Sequence, residues 1–262
     1  MGAWGHGLFQ SDHDFEIVSE LTHDAGLDRI AEDANAKAKA ANPKNEDDRG
    51  VYYSIYGGGD DREFVRKHLD SGALEYMIAE KEANMLAPPK RFELPDLCYV
   101  YVLLGACAMT LGCQLPDEYI GMLKKVYREG GLMPEAQEQM RKALFGPDKY
   151  KNGVPYDFES KDLIETANSN PDPQPNAGGF FLMNVMGPGP FSGMPNSTTS
   201  DVIKELRDQR NNPDACGGCG QKPDKADMKL LLCSRCKGRK YCGVECQKSH
   251  WKVHKKVCDS VA

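Results

Sequence analysis

Patterns that mark catalysis are missing from this chain. No glycine-rich phosphate loop, no nucleophile elbow of the G-x-S-x-G type and no H-E-x-x-H helix occurs in its 262 residues, which removes the usual marks of nucleotide chemistry, serine hydrolysis and zinc proteolysis. The N-terminus lacks a charged segment followed by an apolar run, so no secretory signal is expected and the chain reads as intracellular, nuclear or cytoplasmic. Met1-Gly2 invites N-myristoylation, but His6 stands where that motif wants Ser or Thr, and the reading fails. Long uncharged runs are scarce as well. The one of note, Leu97 to Leu115, is 19 residues long and touches the lower range of a membrane span, about 17–25 residues. Gly105, Thr110, Gly112 and Gln114 dilute it, and amphipathic segments on either side need something to pack on. It is expected to be the buried core helix of a bundle, with no membrane partner.

Few side chains remain as candidates for chemistry. Asp12, His13 and Asp14 string an imidazole between two acids, but successive residues on a helix do not face each other, so helix capping in a solvated first turn is the better account. Cys98, Cys107 and Cys113 lie in the apolar run with no base nearby in sequence and read as buried, inert thiols. The protein is expected not to be an enzyme.

The first 150 residues read as helical, within a helical domain expected over 1–168. Phe15, Val18 and Leu21 mark one helix. Leu27, Ile30, Ala31, Ala34 and Ala38 mark a second, which Asn42-Pro43 ends. Gly57-Gly58-Gly59 breaks the chain; helices resume with Phe64, Val65 and Leu69 and with Leu74, Met77 and Ile78, until Pro88-Pro89 stops them. After the core helix, Tyr119, Met122, Leu123 and Val126 line one segment and Ala136, Met140, Ala143 and Leu144 another, with Pro134 in its first turn. The fold class is mainly α.

From 169 to 200 the composition turns to Asn, Pro, Gly and Ser around an apolar patch, Phe180 to Met183, and reads as a flexible linker. The patch is either a segment that folds back or an exposed binding motif. A short helix over 201–212 then leads into a last domain, 213–262, expected to fold independently of the first.

That last domain holds seven of the chain's ten cysteines. The order is Cys216-x2-Cys219-x13-Cys233-x2-Cys236-x5-Cys242-x3-Cys246-x7-His254-x3-Cys258. An odd number of cysteines without a route to an oxidising compartment argues for metal thiolates over disulfides. Two C-x2-C pairs followed by two further pairs supply eight ligands, enough for two closed tetrahedral zinc sites that are structural rather than catalytic. Zinc of this kind supplies on the order of 10–16 kcal/mol of apparent folding energy in finger peptides, replacing a core that so short a segment cannot build. Spacing leaves one choice open: His250 stands four residues from both Cys246 and His254, so nine candidates compete for eight places.

The stretches CGGC and CSRCKGRKYCGVECQKSHWKVHKKVC resemble a MYND-type zinc finger. The resemblance takes His254 as the ligand and implies an interleaved, cross-braced ββα arrangement. Cys216, Cys219, Cys242 and Cys246 then hold one ion, and Cys233, Cys236, His254 and Cys258 the other. It also implies a protein-interaction adaptor, possible in transcriptional regulation, that binds short proline-containing peptides at Gln247, Trp251 and Tyr241, with 239–241 offering a strand for pairing. The chain's own PDPQP, 171–175, is a candidate for that groove in cis. The N-terminal region, through MGAWGHGLF, LGACAMTLG and GVPYDF, resembles an uncharacterised helical domain that precedes such fingers in fungal-type proteins.

Charge divides unevenly. From Asp214 onward 11 Lys and Arg face 5 Asp and Glu, against 22 and 34 before it, so a basic finger follows an acidic domain. Lys237, Arg239, Lys240, Lys248, Lys252, Lys255 and Lys256 open a nucleic-acid alternative, but seven thiolates against two dications return about three of those charges, which disfavours it. An enzyme related to SET methyltransferases is disfavoured too, since no Asn-His-Ser-Cys stretch or SET-like strand pattern occurs.

Overall fold

The structure, a computed structural model, describes residues 2–41, 50–88, 96–169, 200–222 and 230–259. The Asn42-Pro43 stop, the apolar patch Phe180 to Met183 and the PDPQP stretch lie outside them. Ser11 opens α1 (Asp12–Asp24) by accepting the Asp14 amide on its hydroxyl, and Ile17, Val18 and Leu21 turn inward. α2 (Leu27–Ala41) follows a turn at Gly26. Asp61 caps α3 (Arg62–His68) at the Phe64 amide. Where periodicity marks two separate helices, α3 runs through a π-helical turn, Leu69–Ala73, straight into α4 (Leu74–Leu86). Gly72, at φ 121°, absorbs the kink.

The apolar run forms the centre, as α5 (Leu97–Leu111), capped by Asp96 at the Cys98 amide. Nearly all of it is buried, against α1, α4 and α6 (Asp117–Val126). It stops four residues short of Leu115. Gly112 adopts the left-handed conformation at φ 75°, and a Cβ there would meet the Pro155 nitrogen at 2.7 Å, so no other residue fits that terminus. The loop after α7 (Pro134–Phe145) then closes over the end of α5. Tyr156 donates its amide to Met109 O at 2.9 Å, Asn152 pairs with both backbone groups of Leu115 at 3.0 Å, and the Tyr150 hydroxyl donates to Cys113 O. These bonds bury Cys113 and Leu115 without helix. Among the described residues no helix is long and apolar enough to cross a membrane.

α8 (Leu163–Ser169) precedes α9 (Asp201–Asn211), whose first turn Ser200 caps at the Ile203 amide. α9 packs on α4 and α6, and its Val202, Ile203 and Leu206 belong to the same core as α5. Arg207 Nε donates to Met85 O at 2.8 Å and Asn211 Nδ2 to Leu86 O at 2.9 Å, satisfying carbonyls that the end of α4 leaves open. The short helix that leads into the finger thus also packs into the core of the helical domain. The finger itself is ββα: β1 (Leu231–Leu232) pairs antiparallel with β2 (Lys240–Tyr241), and α10 (Val244–His254) follows. It docks on α9 through α10. Beyond α10, Val257 enters the helical core and Asp259 forms an ion pair with Lys125 of α6.

Candidate metal centre

Each ligand pair sits where the backbone turns tightly. At Cys216 and Cys219 the chain folds back through Gly220 N to Cys216 O, at 2.8 Å. The two glycines between them are required by contact: a Cβ on Gly217 would meet Arg239 Nε at 2.3 Å, and one on Gly218 would meet Cys246 Cβ at 2.7 Å. The CGGC turn therefore lies flush against the start of α10. Cys233 and Cys236 share a second turn, closed by Lys237 N to Cys233 O at 2.9 Å. Cys242 precedes α10 and Cys246 lies in its first turn, while His254 ends the helix and Cys258 follows it.

Folding brings the eight ligands into two sets, first and third pairs together and second and fourth together, with ligand atoms of each set within 4.8 Å of one another. In the first set Cys242 Sγ lies 3.6 Å from Cys216 Sγ, 3.7 Å from Cys219 Sγ and 3.3 Å from Cys246 Sγ. In the second, Cys233 Sγ lies 3.8 Å from Cys258 Sγ, and Cys236 Sγ 3.4 Å from His254 Nε2. A tetrahedral zinc with bonds of about 2.3 Å to sulfur sets sulfur atoms about 3.8 Å apart. The donors fit two zinc ions, four ligands each, and leave no coordination position for water or substrate. His250 belongs to neither set.

The electrostatics of the sulfurs agree. Burial raises the Cys216 thiol, but the backbone N–H groups of Cys242, Cys219 and Gly218 outweigh it and bring it down to about 6. Cys233 falls to about 6 in the same way, with burial opposed by the amides of Cys236 and Arg235. Their neighbours move oppositely: Cys242 rises to about 12 against Cys246, Cys216 and Cys219, and Cys258 to about 12 through burial and then Cys236 and Cys233. Like charges packed this closely ionise together only around a cation. The cysteines of the apolar run contrast with them, since burial pushes Cys113, just beyond α5, up to about 12 and Cys98 of α5 well above its ordinary value with no compensating donors of that strength.

Around the second set lies a polar cluster that spacing did not mark. Glu205 of α9 is buried and faces His254 Nδ1 at 3.1 Å and His250 Nε2 at 3.1 Å. Arg239, 2 % exposed, places Nε 3.4 Å from Glu205, within ion-pair reach though not aligned as a hydrogen bond, and pairs through its other nitrogen with Asp208. Burial raises the Glu205 carboxyl, but His250, His254, Gln209 and Arg239 together hold it at about 2. The signal was legible: Val202, Glu205, Leu206 and Gln209 share one face of α9, so an acid stands inside an apolar stripe.

The expected peptide-contact residues separate. Trp251 is 37 % exposed, and with Gln247, Lys248, Cys233, Ser234 and Arg235 it lines an open groove of about 320 Å³. Tyr241 does not join them. It is fully buried in the finger's interior, packed on the ligand cysteines, with its ring centre 5.9 Å from that of His250 and 6.1 Å from that of His254. Nor is the strand at 239–241 free to pair. β2 holds β1 on one side, and on the other Lys240 O accepts Gly217 N at 2.9 Å. Among the basic residues of the nucleic-acid alternative, Arg239 is buried and Lys240 is engaged by Asp214 at 2.6 Å.

Of the acids in the first turn of α1, Asp12 accepts Gly2 N at 2.7 Å. Asp14 is buried rather than solvated, and accepts from Tyr99 and Gln10 while burial raises its carboxyl.

No solved structure matches the chain. Residues 216–258 match the family model described as the MYND finger, and with two interleaved sets of four ligands this segment is a MYND finger, a zinc-binding protein-interaction module.

Proposed function

We propose that the protein is a non-catalytic adaptor whose finger binds a short, extended, proline-containing peptide of a partner protein across Trp251 and Gln247. The observation that carries this reading is the open groove those two side chains line. Because Tyr241 fills the interior, Trp251 is not consumed by packing. Its backbone is fixed by His254 one turn later on α10, and its ring lies 6.0 Å from that imidazole. An indole held this way offers a flat apolar face at little entropic cost, suited to proline rings. Gln247 brings a donor and an acceptor for a peptide backbone. Arg235 and Lys248 at the edge favour acidic residues flanking the proline.

The test is titration calorimetry of the zinc-loaded chain with proline-containing peptides. Trp251→Ala should lose at least about 2 kcal/mol of binding, the size of an interface hot spot, with both zincs retained. Unchanged affinity would place the ligand elsewhere. Binding should respond weakly to salt; a slope of log K on log salt near about −0.9 per phosphate, with DNA or RNA as ligand, would favour the nucleic-acid reading instead.

A further inference from the structure

Helix α9 lies outside the eight-ligand segment, yet one of its side chains is built into it. Glu205 is 4 % exposed. Its two oxygens meet His254 Nδ1 at 3.1 Å, His250 Nε2 at 3.1 Å and Gln209 Nε2 at 2.7 Å, with Arg239 Nε at 3.4 Å. A carboxylate withdrawn from water is stable only where donors and charges replace its hydration, and three of these four partners belong to the finger.

An imidazole that ligates metal through one nitrogen carries its proton on the other, and the group accepting that proton fixes the orientation of the ring. His254 Nε2 stands within the second ligand set, 3.4 Å from Cys236 Sγ, and Nδ1 faces Glu205 Oε1. We propose that Glu205 is the positioning residue of the second zinc site, holding the His254 proton on Nδ1 so that Nε2 faces the metal, and tying that metal to the helical domain through α9. His250 steadies the carboxylate from its other oxygen while its own Nδ1 meets the Tyr241 hydroxyl at 3.3 Å. The first ligand set contains no imidazole, so Glu205 acts on the second alone. Behind Glu205, α9 is anchored by Val202, Ile203 and Leu206 in the core and by Arg207 and Asn211 on the end of α4. One rigid helix thus carries both contacts.

The experiment is chelator competition and native mass spectrometry on the full chain, with histidine-selective ¹⁵N spectra. Glu205→Leu removes the acceptor, whereas Glu205→Gln keeps one carbonyl oxygen for Nδ1–H. Glu205→Leu should weaken one zinc about 10–100-fold, leave the other at wild-type affinity and abolish the Nδ1-protonated, Nε2-ligated pattern of His254; Glu205→Gln should fall between. Wild-type affinity at both sites in Glu205→Leu overturns the proposal, and so does equal weakening of both, which would mean only a general loss of fold. Should Glu205→Leu fail to fold, Glu205→Gln decides: selective weakening of one zinc supports the assignment, and two unperturbed zincs overturn it.

Discussion

His250 and His254 stand one turn apart on α10, and what each nitrogen faces separates them. His254 is fully buried with Nε2 among thiols, while His250 meets Glu205 and Tyr241. Native mass spectrometry should show His254→Ala with one zinc and His250→Ala with two. His250→Ala should still lower stability by roughly 1–3 kcal/mol in thermal denaturation, because a buried carboxylate loses a donor; a variant as stable as wild type would show that Glu205 does not need it. The ligand cysteines were legible because metal geometry forces short, regular spacings. Tyr241 was not, because an aromatic beside a ligand looks the same in sequence whether it faces a groove or fills the interior. Arg239 read as one more surface cation for a related reason, its partners Glu205 and Asp208 lying about 30 residues away in sequence.

At the scale of elements, apolar periodicity located the helices, and what it missed was set by contacts distant in sequence. The end of α5 is fixed by Pro155 and Asn152, which no local pattern contains, and the fusion of α3 with α4 depends on one glycine conformation. Two further helical glycines make opposite predictions. Gly105 of α5 lies where a Cβ would meet Leu123 Cδ1 at 2.8 Å and the Tyr119 hydroxyl at 3.1 Å, and that hydroxyl already donates to Tyr101 O at 2.8 Å. Gly105→Ala should therefore destabilise by about 1–3 kcal/mol, the usual penalty of overpacking. On α6, a Cβ at Gly121 meets nothing within 4 Å. Gly121→Ala should stabilise by about 0.5–1 kcal/mol through backbone entropy alone. A melting temperature that does not fall for Gly105→Ala would show that the α5–α6 contact is looser than these distances state, and one that falls for Gly121→Ala would show that the α6 surface is less open there.

For the whole molecule, the question is whether metal reports only on the finger. A polar, proline-rich linker suggests two separate units, and that inference follows from composition alone. It overlooks α9, which lies after the linker in sequence but inside the helical core in space, with three apolar side chains worth about 1.5–3 kcal/mol each when fully buried. Removing zinc leaves eight ligand groups without a cation and frees His250, His254 and Arg239 from a fixed frame, so Glu205 is left buried with only Gln209 from its own helix. The least costly response is for α9 to loosen and expose that carboxylate to water. Loosening α9 uncovers the carbonyls of Met85 and Leu86 at the end of α4. α5 is held instead by α1, α4 and α6 and should not respond. Amide hydrogen exchange before and after chelation should therefore show lost protection in the finger, in α9 and in the last turn of α4, with α5 unchanged. Full protection of α9 after both metals are gone would mean that its apolar face alone holds it, and that the finger and the helical domain are coupled by contact but not by zinc.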